Sequence, residues 1–232
     1  LRTNSIPGLT LAGGTVTTTS TFQQSGSITN LTLDGATLDG TNQVSGLLTV
    51  NAGALRGQLT VQAGGTLVLA TAADKALYSC TLINHGTMQW TGGRLLGGNT
   101  PTTLITNLGL WDIQTDNQLT YGGGPEPQFV NLGTVRKSAG AGTATIASWS
   151  FDNRGVVDVQ TGTLNFNSGN NSGLSGTFNV AAGAAITLAS GAYFEAGAVF
   201  NGPGIRRLTG GTLTLRTNSI PGLTLAGGTV TT

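Results

Sequence analysis

A phrase of three residues, Asn-x-Gly, returns at a near-constant interval through the middle of the chain, and no other feature restricts the fold as tightly. It occurs as Asn84-His85-Gly86, Asn107-Leu108-Gly109, Asn131-Leu132-Gly133 and Asn153-Arg154-Gly155. The steps between its asparagines are 23, 24 and 22 (107−84, 131−107 and 153−131). Two positions before each Asn stands Leu82, Ile105, Phe129 or Phe151. Two positions after each Gly stands Met88, Trp111, Val135 or Val157, and four after it Trp90, Ile113, Lys137 or Val159. Self-similarity at a fixed period of this length is the signature of a solenoid.

Apolar residues two apart put alternate side chains on one face, which is the period of a strand. Glycine takes φ > 0 without a Cβ clash and asparagine tolerates left-handed backbone, so the phrase reads as a bend between two strands. One such bend at each step describes the coil of a parallel β-helix. Each strand then pairs with its equivalent one rung away, at ~4.8 Å. Asn84, Asn107, Asn131 and Asn153 become a ladder in which each amide donates to one neighbour and accepts from the other. A turn with the Asn exposed is the alternative. Met88, Trp111, Val135 and Val157 form a column filling the bore.

Charged residues make up 8% of the chain and the formal net charge is +1, with no Lys/Arg cluster. Phosphate recognition needs a basic footprint, so nucleic acid is not an expected partner. No apolar run approaches the ~20 residues that span a bilayer as a helix, so membrane insertion is not expected. Glycine, which occurs 38 times, has about twice its usual share. The single cysteine, Cys80, lies in strand-like sequence and reads as a buried structural thiol, and His85 is the single histidine. One His and one distant Cys are no zinc pattern, and no metal or cofactor is expected.

The opening segment 1–18, LRTNSIPGLTLAGGTVTT, returns unchanged as 215–232, an offset of 214. Chance does not produce this. The chain is expected to hold one unit of a tandem array (1–214) and the start of the next (215–232), or else to carry an overlap introduced by design. At roughly 22–24 residues per coil such a unit rises roughly 45 Å. The opening Leu1-Arg2-Thr3-Asn4 is neither a methionine nor a signal peptide, as expected of a segment of something longer.

Outside the centre, apolar-Thr-apolar tripeptides replace the Asn phrase: Leu9-Thr10-Leu11, Leu31-Thr32-Leu33, Leu48-Thr49-Val50, Leu59-Thr60-Val61, Leu213-Thr214-Leu215 and Leu223-Thr224-Leu225. The step from Thr10 to Thr32 (32−10 = 22) is a full coil, whereas Thr49 to Thr60 (60−49 = 11) and Thr214 to Thr224 (224−214 = 10) are about half of one. Two strands per coil on different faces give both spacings, with threonine pointing outward. Residues 99–101 and 122–127, which contain prolines, are expected to be corner loops. The one helix candidate is the short stretch 70–77 (ATAADKAL).

The phrases 130–138 (VNLGTVRKS), 151–159 (FDNRGVVDV) and 176–183 (GTFNVAAG) resemble the repeats of very large bacterial β-helical surface proteins. Autotransporter passengers and filamentous-haemagglutinin-type adhesins are the nearest named groups. The resemblance implies a secreted, right-handed parallel β-helix at the cell surface, acting as a stalk or adhesin. It is specific for architecture and weak for any particular role.

Asp112 and Asp158 occupy the same place in their phrases, with Arg136 there in the rung between and Gln89 in the rung before. Two carboxylates two rungs apart stand ~9.6 Å apart, at the edge of the range of an inverting glycosidase pair. Arg136 between them favours both ionised, whereas a general acid needs a raised pKa. Asp112, Arg136 and Asp158 are therefore expected to be an exposed charge ladder that sets register, worth at most ~1 kcal/mol per pair. The lone His85 serves no Ser-His-Asp arrangement, and Thr-x-Thr pairs at 15–17, 143–145 and 161–163 are too irregular for a flat ice-binding face.

The expectation is thus an all-β, right-handed parallel β-helix (β-solenoid) of roughly 22–24 residues per coil, acting without catalysis as a segment of an extracellular fibre or adhesin stalk. Its expected partners are identical neighbouring repeats, in the same chain or end to end, with lateral fibre contacts and surface glycans as further candidates. The alternative is a carbohydrate-binding or polysaccharide-cleaving β-helix.

Overall fold

Strands of three to five residues dominate the chain, and through its middle each pairs in parallel with its equivalents one coil before and one coil after. The computed structural model describes residues 8–18, 27–167, 169, 171–216 and 219–232. Residues 1–7 and 217–218, within the two copies of the repeated segment, lie outside the described residues. The whole is a parallel β-solenoid of about nine turns with about 22 residues per turn.

Every central coil has three strands, one more than the tripeptide spacings suggest. One face carries Cys80–Asn84, Leu104–Asn107, Gln128–Asn131 and Ser150–Asn153 and is called here the asparagine face. After the Asn-x-Gly corner comes the tryptophan face, with Thr87–Trp90, Leu110–Ile113, Thr134–Lys137 and Val156–Val159. The third, or tyrosine, face holds Lys75–Tyr78, Leu95–Gly98, Gln118–Tyr121, Thr143–Ala147 and Thr163–Asn167. It shares no recurring phrase, so spacing alone merges it with the corners. Strands this short leave room in each coil for three of them and their bends.

Alternation puts one set of side chains inside. Val135 and Lys137 of Thr134–Lys137 are buried while Thr134 and Arg136 are half-buried. The bore is mainly apolar and lined with aromatic rings: Trp111, Phe129, Phe151 and Phe166 make successive ring contacts with centroids 4.8, 5.2 and 4.8 Å apart. Fully buried aromatic side chains of this size carry much of the hydrophobic stabilisation.

Coil length is not constant. Thr41 pairs with Gln58, an offset of 17, Leu47 with Thr66, an offset of 19, and Gly53 with Lys75, an offset of 22. In the shortest coils the corners shrink until Ser27–Leu55 runs as one extended stretch that winds round the core, turning at Gly35, Gly40 and Gly53, all with positive φ. Residues 70–77 are not helical. Ala76 and Leu77 pair with Leu96 and Gly97, and the Lys75 ammonium turns inward and donates to the carbonyls of Thr71 and Gly92. Pairing on both sides overrides the local helix propensity of ATAADKAL.

Candidate functional site

The Asn-x-Gly corner is the most regular feature of the solenoid. Asn84, Asn107, Asn131 and Asn153 are paired rung to rung and fully buried. Asn84 Nδ2 donates to Asn107 Oδ1 at 2.7 Å, Asn107 to Asn131 at 2.8 Å and Asn131 to Asn153 at 2.7 Å. The same amides also donate to the carbonyls of Leu110, Thr134 and Val156 on the next coil, each at 3.0 Å. Each corner is thereby tied to its neighbour by side chain and backbone together. The ladder is bounded by Val61 before Asn84 and by Leu174 after Asn153.

The glycine of the phrase is needed for a reason other than the one its bend suggests. Gly86, Gly109, Gly133 and Gly155 do not have positive φ. Each lies so close over the glycine one coil earlier (Gly65, Gly86, Gly109 and Gly133) that an added Cβ would strike that residue's carbonyl oxygen. Close approach of stacked backbones, not left-handed geometry, selects glycine here.

Met88, Trp111, Val135 and Val157 stand directly above one another and are completely buried. Among the described residues Trp111 Nε1 has no hydrogen-bond partner. Asp112, Arg136 and Asp158 are also in register, but they do not bond as a continuous row. Arg136 Nε donates to Asp158 Oδ2 at 3.3 Å, whereas Asp112 receives Gln114 Nε2 at 2.7 Å and its Oδ1 is buried without a partner among the described residues. Asp112 is 9% exposed, so this rung of the outward row is covered.

Several buried charges were not singled out by spacing. Lys137, whose place in its phrase is apolar in the other three, is completely buried; Nζ donates to Asp116 Oδ1 at 2.7 Å and to the Ala139 carbonyl at 2.9 Å. Burial alone would raise the Asp116 carboxyl, but the Lys137 ammonium and the Gly142 N–H hold it below its usual range. Lys75 is 1% exposed, and burial lowers its pKa to about 8 despite nearby Asp74. Glu195, completely buried, accepts the N–H groups of Gly197 and Ala198 at 2.7 and 2.9 Å. Lys137 was visible as a break in the apolar pattern; Lys75 and Glu195 carried no such signal. Cys80 is buried in its strand, and burial pushes its thiol up to about 12.

On the asparagine face lies an open groove of about 490 Å³ lined by residues including Gln128, Ser150, Asp152, Arg154, Asn171 and Phe194. Gly173 makes its floor, since a Cβ there would press on Asp152 Oδ1 at 2.5 Å. Arg154 forms an ion pair with Asp152 at 2.6 Å, and the Arg216 guanidinium lies 5.2 Å from the Phe194 ring centre. Among the described residues no group of three or more His, Cys, Asp or Glu side chains is placed to hold a metal ion, and no helix is long and apolar enough to cross a membrane. Set against protein families, curated proteins and solved structures, the chain has no match.

Proposed function

We propose that this chain is a structural segment of an extracellular fibre or adhesin stalk, a non-catalytic rod extended by stacking its ends. The observation that carries this is the recurrence of residues 1–18 as 215–232, together with the pairing of the described strands of both copies with the solenoid. Hydrogen bonds between strands run along the axis, so load along the rod is borne by the ladder of backbone pairs and by the Asn column beside it. A terminal coil presents unpaired N–H and C=O groups, which favour the docking of another strand. The likeness of 130–138 and 151–159 to bacterial surface repeats agrees with a secreted rod at the cell surface. Analytical ultracentrifugation of the chain tests this: elongated species that grow with concentration are expected, and a strictly monomeric species at all concentrations overturns it.

The groove beside Phe194 favours a second function on the same rod, binding of a surface glycan. An aromatic ring flanked by Asp152, Asn171 and Gln128 offers hydroxyl acceptors and donors beside an apolar face. Binding to a polysaccharide panel that is lost in Phe194→Ala would support it; equal binding by Phe194→Ala and the parent chain, or none by either, excludes the groove.

A further inference from the structure

The described strands of the two copies of the repeated segment lie on different faces of the solenoid. In the first, Leu9, Thr10 and Leu11 pair with Leu31, Thr32 and Leu33. Those residues belong to the long stretch that winds at an offset of 17: the Arg56 N–H donates to the Leu38 carbonyl, and a Cβ on Gly53 would strike Ala36. Residues 31–33 therefore lie under 48–50, and Leu48, Thr49 and Val50 lie under Leu67, Val68 and Leu69, on the tryptophan face. In the second copy, Leu223, Thr224 and Leu225 pair with Arg206, Arg207 and Leu208, which pair with Ile186, Thr187 and Leu188 and through them with Leu164, Asn165 and Phe166 of the tyrosine face. The other half of the segment agrees. Thr15–Thr18 sits on residues 37–40, which run into the tyrosine face through Ala54 and Ala76, whereas Thr229–Thr231 sits on Thr212–Thr214, which continue the asparagine face from Ser150–Asn153 through Ser172–Leu174 and Ala192–Glu195. Both strands of the segment have moved on by one face in the order in which the chain visits them.

We infer that consecutive units join through this segment as a shared rung and that each unit is turned by one face, about a third of a turn, relative to the one before. The partner at the junction is the next copy of this unit. The tyrosine face of one unit continues as the tryptophan face of the next, with Arg207, the shared threonine and Thr32 in one line. Three units return the segment to its first face. The Phe194 groove is then shown on three sides of the rod in turn, so a rod of three units can engage a surface from any direction. This rests on the reading of the chain as a stacked rod, and the two fail separately.

Disulfide trapping in the full chain tests the two seats. Parallel neighbours at ~4.8 Å fall within the Cα separation of a disulfide. Thr10→Cys with Thr32→Cys, and Thr224→Cys with Arg207→Cys, should each close within one chain, whereas Thr224→Cys with Asn201→Cys should close at least ~tenfold less; the parent chain, with Cys80 buried, is the control. Closure of the Asn201 pair in preference to the Arg207 pair puts both copies on one face and overturns the rotation, while leaving end-to-end growth to be judged by sedimentation. A second measurement does not depend on those variants. In a chain of three units followed by 215–232, gold labels on Leu132→Cys, at an exposed corner, should step round the axis in electron micrographs. Labels in a single line overturn the inference.

Discussion

A buried side-chain amide is costly unless all its hydrogen-bonding groups are met, and Asn131 meets them by bonding both neighbours in its column. Asn131→Ala removes the acceptor of one Asn107 N–H and the donors to the Asn153 oxygen and the Val156 carbonyl together. It should therefore lower stability by about 2–4 kcal/mol in urea denaturation, more than a loss of one exposed hydrogen bond. A loss below about 1 kcal/mol would mean the column is wet. Lys75 makes a different test. Burial lowers its pKa to about 8 from 10.5, so between those values the unfolded chain binds more protons and stability rises with pH. Cys80 works in the opposite sense: burial raises its pKa from 9.0 to about 12, so the unfolded chain loses its proton first and stability falls above pH 9. Stability should thus climb from pH 8 to 9, Lys75→Met should abolish that climb, and Cys80→Ala should remove the opposing fall above pH 9. A climb retained in Lys75→Met assigns it to another group.

At the scale of the coil, the spacing between rungs is decided where backbones touch. A Cβ on Gly133 would lie 2.6 Å from the Leu108 carbonyl carbon as well as against the Gly109 oxygen. No rotamer change relieves a clash with backbone, so Gly133→Ala should cost about 3 kcal/mol or more. Gly13→Ala, at a position with open space and no positive φ, should cost nothing measurable. Equal losses at the two sites would show that conformational freedom, not rung spacing, selects these glycines. The asparagine corner was legible in sequence because each coil repeats the same chemistry there: apolar residue, buried amide, close-packed glycine. The tyrosine face was not, because its packing is shared between rungs of different sequence. Trp149, between two strands, reaches into the space left by Gly97, where a Cβ would strike its ring, and donates to the Thr120 carbonyl at 3.0 Å. Such compensation between large and small side chains leaves no period to read. The shortest coils were hidden similarly. Leu48-Thr49-Val50 and Leu59-Thr60-Val61, whose close spacing suggested half of a two-strand coil, stand on neighbouring faces of one short three-faced coil.

For the whole molecule, the three faces matter more than any one side chain. The charged row Asp112, Arg136 and Asp158 is too fragmentary to act as a continuous site, with one ion pair and an amide contact at each carboxylate. The Asn column, the aromatic bore and the matched backbone rungs all act along a single axis, which is what a load-bearing rod requires. Cryo-electron microscopy of the concentrated chain tests that most directly. Rods are expected, with a layer line at ~4.8 Å along the rod axis in the power spectrum and an axial unit near ~45–50 Å. Compact particles that never join, or a ~4.8 Å spacing lying across the long axis, would contradict it.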